Sequence, residues 1–312
     1  MRCPISLIML ILLALHCVCP HSCFPEENIG KIEAQRVTVF FAKPLEASAR
    51  EIISIYPEVQ GELEEMLGWE LGYRPTVFLI KDRDKFEKMI GSNLFVAMAV
   101  PQKKLIIIDY SRMIRPFTLR ATLKHELCHL ILHQHIKDDN LPRWLNEGIA
   151  QWTSDGLAEI IMKSDRFILN RAVFTHRYIR LEELRHYFPQ NKNALQLAYE
   201  ESKSIVEYII KEYGTGIMLR ILYDMEDGKD LDTALSSNLF ISLDELEAGW
   251  HKHLKQKISW LLLLNAYFYQ ILFFLAALLL AVVGSVNLLR RRRDRLKEYE
   301  EDDEENPSDQ RN

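Results

Sequence analysis

Along the first third of the chain the apolar positions switch between two periods. Arg36–Ala42 (RVTVFFA), Pro75–Ile80 (PTVFLI) and Lys104–Asp109 (KLIIID) are short β-branched and aromatic runs, which read as strands. Between the first two, Ala47–Leu67 sets Ile52, Ile55, Val59, Leu63 and Leu67 at helical spacing and ends beside Gly68. Asp84–Ile90 reads as a short helix, capped by Asp82 or Asp84 and stopped by Gly91. From Thr118 onward only helical patterns occur: Thr118–Leu132, Leu141–Gly156, Leu181–Tyr187, Ala194–Tyr213, Gly216–Met225 and Leu243–Leu254. Strands first and helices after predict an α+β fold, with an N-terminal mixed β-sheet and a helical C-terminal half.

Two longer apolar runs bracket this domain. Met1-Arg2 followed by Ile5–Leu15 has the charged start and short apolar stretch of a secretory signal peptide, placed at residues 1–22. Trp260–Val283 is interrupted only by Asn265 and Gln270, long enough for one transmembrane helix over 260–286. Trp260, Tyr267 and Tyr269 suit an interfacial belt, and Arg290–Arg293 follow at once. A short basic flank stays on the cytoplasmic side. Signal and flank agree on one topology: residues 24–257 extracytoplasmic or periplasmic, a single pass through the cell (inner) membrane, and a basic-then-acidic tail, 287–312, in the cytoplasm. The tail from Glu298 is acidic and nearly free of apolar residues, so disorder is expected there.

Composition narrows the class. The chain has 312 residues, 48% of them hydrophobic, and a formal charge of −5, so a packed core is affordable and a nucleic-acid partner is not expected. Of the five cysteines, Cys3, Cys17, Cys19 and Cys23 precede the domain; Cys128 alone lies within it, which excludes a disulfide scaffold.

The chemistry sits in the Thr118–Leu132 helix, which contains His125-Glu126-Leu127-Cys128-His129. At i and i+4 on an α-helix, two side chains lie about 40° apart and about 6 Å along the axis, so both imidazoles reach one metal. Zinc accepts imidazole and carboxylate and leaves a position for water. An H-E-x-x-H match arises by chance in roughly three chains per hundred of this composition, so a third ligand decides. His135, six residues after His129, needs a helix break; where Gly would supply one, the chain has Leu132. A continuing helix turns His135 about 240° away from His129. The other candidate is Glu147, in Trp144-Leu145-Asn146-Glu147-Gly148-Ile149-Ala150, on a second helix entered through Pro142. Asn146 either orients a metal ligand from behind or is a cap or surface residue, the second being favoured, and Cys128 reads as a small core residue.

H-E-x-x-H followed by W-L-N-E-G-x-A resembles the gluzincin metallopeptidases, notably the aminopeptidase N group and the broader peptidase MA-like domains. The resemblance implies a zinc-binding helix pair, with His125, His129 and Glu147 as Zn2+ ligands and Glu126 as general base. It covers His125–Ala150 tightly; 17 residues separate His129 from Glu147, one fewer than in the aminopeptidases. It also implies a catalytic Tyr just ahead of a helix at the mouth of the site. Tyr199, before Ser202–Tyr213, matches that place, with Tyr178, His176 and His186 as substitutes. Val96–Val100 lacks the Glu with which aminopeptidases read a free amine. The expected activity is therefore hydrolysis of internal peptide bonds, with Leu105–Ile108 as the edge strand that pairs with substrate backbone. The rivals are a catalytically silent, membrane-tethered binding protein and a zinc hydrolase of a non-peptide bond.

Overall fold

The computed structural model describes residues 29–114, 117–155 and 168–305. The signal-peptide reading and the four N-terminal cysteines lie outside the described residues. The chain divides into two units, one comprising the chain to Leu169 with Tyr178–Asp244, the other Asn170–Arg177 with the chain from Glu245.

The first unit opens with a five-stranded mixed sheet. Its strands are β1 (Ile29–Glu33), β2 (Thr38–Ala42), β3 (Thr76–Ile80), β4 (Ala97–Val100) and β5 (Leu105–Asp109). They lie side by side in the order β1-β2-β3-β5-β4. β2, β3 and β5 run parallel, with Val39 opposite Val77 and Val77 opposite Ile106. β1 and β4 are antiparallel additions at the two edges. The register brings Val39, Val77 and Ile106 into line, all fully buried.

One expectation is corrected here. Leu105–Ile108 is not an edge strand: it lies between β3 and β4. Ile106, Ile107 and Ile108 are all buried, as a continuous apolar run covered on both faces should be. The edge is β4, whose Met98 and Ala99 are only half-buried. An ion pair holds the approach to it. Arg83 donates to the buried Asp109 carboxylate at 2.7 Å and to the carbonyls of Asn93 and Phe95, tying the loop before β4 to the end of β5.

Helices fill the rest. α1 (Glu46–Leu67) buries Ile52, Tyr56, Val59, Leu63 and Leu67 and ends on Gly68, whose φ of 72° is the left-handed cap glycine tolerates. α2 (Arg83–Ile90) is capped by Asp82, which accepts from the amides of Asp84 and Lys85. α3 (Leu119–His135) starts at Thr118, which accepts from the Ala121 amide. α4 (Arg143–Thr153) begins directly after Pro142. Residues 181–186, expected to be helical, form turns instead. α5 (Ile168–Thr175) and α8 (Leu231–Leu239) were not expected, while α6 (Lys192–Tyr213) and α7 (Thr215–Glu226) lie where the periodicity placed them.

α1 packs on α3, α3 on α4, and α4 on α6. The last contact is close because residue 148 has no side chain. A Cβ on Gly148 would sit 2.3 Å from the Ser202 carbonyl oxygen and 2.5 Å from Val206 Cγ2.

The last helix, α9, runs unbroken from Leu243 to Glu305. The separate helix expected over Leu243–Leu254 is its beginning. The stretch from Glu298, expected to be disordered, is helical as far as Glu305. Glu, Lys and Arg are good helix formers, and no proline lies between Leu243 and Pro307. Within α9, Gln270–Arg293 is long and apolar enough to cross a membrane.

Candidate metal centre

α3 and α4 together place three donors around one point. One turn of α3 separates His125 from His129, and their Nε2 atoms lie 3.3 Å apart. Glu147, on the second turn of α4, sets Oε2 at 3.9 Å from the first and 3.7 Å from the second. All three residues are buried. Donors bound at about 2.1 Å to one tetrahedral ion are about 3.4 Å apart, so these separations suit a zinc-sized cation. The structure brings His125, His129 and Glu147, the three candidates named from sequence, to one point.

The surroundings fit a cation as well. Among the described residues, the buried Glu147 Oε2 has no hydrogen-bond partner. Burial pushes this carboxyl up to about 7, against the pull of the Arg143 guanidinium one turn earlier. A buried carboxylate that faces two imidazole nitrogens and lacks a proton donor is in the environment that a divalent ion compensates.

Each imidazole is also held from behind. Ser154 Oγ donates to the Ala150 carbonyl at 2.7 Å and lies 3.3 Å from His125 Nδ1, where it can accept. Asn146 Oδ1 lies 2.8 Å from His129 Nδ1. Both contacts favour a proton on Nδ1, which leaves each Nε2 lone pair turned to the common centre. Of the two sequence readings of Asn146, the contact with His129 supports the ligand-orienting one over the favoured cap or surface one. Its amide nitrogen reaches His133 Nε2 at 3.1 Å, and His133 Nδ1 reaches Asp138 Oδ1 at 2.6 Å. Desolvation raises the Asp138 carboxyl, but hydrogen bonds from His133 and Gln102 outweigh it and hold the group below its usual range.

The remaining candidates separate. Glu126 is fully buried on α3, between the two histidines in sequence. His135 is used elsewhere: α3 continues to it without a break, and it stacks on Trp69 with ring centroids 4.8 Å apart and bonds Glu226 at 2.7 Å. Cys128 is buried, and desolvation pushes its thiol up to about 12, as for an inert core residue. Tyr199 lies in the interior of α6 rather than ahead of a helix. It is 1% exposed, with its ring edge-on to Phe188.

A cleft of about 350 Å³ opens on this centre. Met98 and Ala99 of β4 line it, together with His129, Glu147, Arg143 and His186. Tyr199 is not among the cleft-lining residues. His186 is, although sequence reasoning offered it only as a substitute.

Comparison with known proteins gives two findings. The family model described as Peptidase MA superfamily matches residues 92–256. Among solved structures, the chain is similar to a variant of the M1 zinc metallopeptidase from Deinococcus radiodurans, at 13% identity and a TM-score of 0.38. That similarity covers 71% of this chain and 50% of the other, so the chain spans half the length of that protein. No curated protein matches the chain.

Proposed function

Because the chain belongs to the peptidase MA superfamily, we propose that it is a zinc metallopeptidase, held in a membrane by a single helix, that cleaves polypeptides internally. The observation that carries this reading is the convergence of His125, His129 and Glu147, whose ligand atoms all lie within 4.8 Å of one another. Bound there, zinc supplies Lewis-acid polarisation of the scissile carbonyl and acidifies water.

The residues of the chain do the rest. Glu126, next to His125 on the same helix turn, takes the proton of the attacking water and returns it to the leaving amine. Ser154 and Asn146 fix the imidazoles. The substrate backbone lies along β4, the sheet edge on the cleft, in the manner of strand addition. By resemblance Tyr199 donates to the developing oxyanion. Replacing it with Phe keeps the ring on Phe188 and removes only the hydroxyl, so an oxyanion role predicts a fall in kcat of about 100-fold. An unchanged kcat makes Tyr199 a packing residue and passes the role to His186 on the cleft wall.

Residues 24–257 form the extracytoplasmic catalytic part, residues 260–286 provide the span, overlapping the apolar stretch Gln270–Arg293 of α9, and Arg290–Arg293 just beyond the span mark the cytoplasmic end. The test is metal analysis of the purified chain in detergent, together with hydrolysis of a mixed peptide library by wild type and Glu126→Gln. Stoichiometric zinc with internal cleavage by wild type alone supports the assignment. Zinc without cleavage of any peptide favours the binding-protein rival.

A further inference from the structure

The contacts around His133 form a chain of fixed polarity, and it rests on the zinc site proposed above. If His129 turns Nε2 to the cation, its ring proton is on Nδ1 and donates to Asn146 Oδ1. Asn146 then presents its amide N–H to His133 Nε2, which must be an unprotonated acceptor. The His133 proton is therefore on Nδ1, where it donates to the Asp138 carboxylate. Asp138 in turn accepts from Gln102 Nε2 at 3.0 Å on its other oxygen. Each group is used in the one sense that the next requires.

The geometry points to His133 and Asp138 as positioning residues for the metal ligand His129, acting through the Asn146 amide. An Asn side chain can turn by 180° and exchange its oxygen and nitrogen. Turned, it would set N–H against the His129 Nδ1–H, and oxygen against the His133 Nε2 lone pair. The wrong orientation is opposed at both ends when His133 carries its proton on Nδ1 and leaves the Nε2 lone pair bare. Asp138 selects that tautomer, because its carboxylate accepts hydrogen bonds and donates none. His133 is well placed to do this, since only 18% of its side chain is exposed.

The test is zinc affinity, measured on the full chain in detergent by competition with a fluorescent chelator. His133→Phe, which removes the acceptor, should weaken zinc about tenfold, within the range for partners behind a ligand. His133→Gln, which can offer Oε1 where Nε2 stood, should stay within about threefold of wild type. The deciding variant is the double change His133→Phe with Asn146→Ala. Once the amide is gone, the His133 change should cost nothing further. A packing role predicts instead that the two losses add. Imidazole nitrogen shifts of histidine-labelled protein should show the Nδ1–H tautomer at His133, and Asp138→Asn should release it. Wild-type affinity in His133→Phe, or additive losses in the double variant, overturns the inference while the zinc site stands. Absence of zinc binding by the wild type would overturn the site itself.

Discussion

Two regions invert the usual sorting of side chains, in opposite directions. Around His125, His129 and Glu147, polar groups are buried. Along Gln270–Arg293, apolar groups are exposed: Phe273 is 77% exposed and Leu280 70%. Both arrangements are costly in water. Burying an uncompensated polar group costs about 2–7 kcal/mol, and apolar surface left in water forfeits about 25 cal/mol per Å². On the proposed function, a cation would offset the first cost and lipid the second. They differ in how the anomaly is built. The centre needs two helices and a loop to converge within a few ångströms, whereas the helix needs only composition sustained over its length. One wrong group therefore disables the centre, while the helix tolerates most single changes.

That contrast can be broken or sharpened by substitution. The largest effect is expected at Glu126. Changed to Gln, it should retain zinc and lose about a thousandfold in kcat/KM for peptide hydrolysis. Retained turnover would remove it as the base. Next comes Glu147→Ala, which should weaken zinc by more than the about 100-fold that partners behind a ligand reach. In the helix, a single Leu279→Arg places a charge at the middle of the span and should disfavour insertion by about 3 kcal/mol. Loss of the chain from the carbonate-resistant membrane fraction would register it. Smallest is His135→Ala, which removes the bond to Glu226 and the stacking on Trp69. It should lower stability by about 1–2 kcal/mol in thermal unfolding and leave zinc content unchanged. A drop in zinc there would revive His135 as the third ligand.

The same contrast explains what could be read in advance. The apolar stretch of α9 and the three inner strands were legible because each is a run whose pattern repeats, whereas the continuity of α9 into the charged tail from Glu298 was not. β1 (IGKIE) and β4 (AMAV) were not, being edge strands with weak patterns of their own, fixed by pairing with β2 and β5. His125 and His129 were legible from helix geometry, and Glu147 from a second helix of the right distance along the chain. Asn146 was legible only as the less favoured of two readings, and His133 was not. Their roles exist only after the Ile136–Leu141 segment turns α4 back so that Asn146 reaches α3, and neither spacing nor periodicity encodes that turn. Tyr199 marks the opposite limit: resemblance supplied a role, and burial inside α6 leaves that role to experiment.

Gly148 gives the motif a failure mode that motif inspection cannot detect. A lone added methyl group there would collide with backbone on the neighbouring helix and lever its predecessor, Glu147, out of line. A protein so altered would keep all its reactive side chains and still be silent, so an intact signature certifies the reagents and not their alignment.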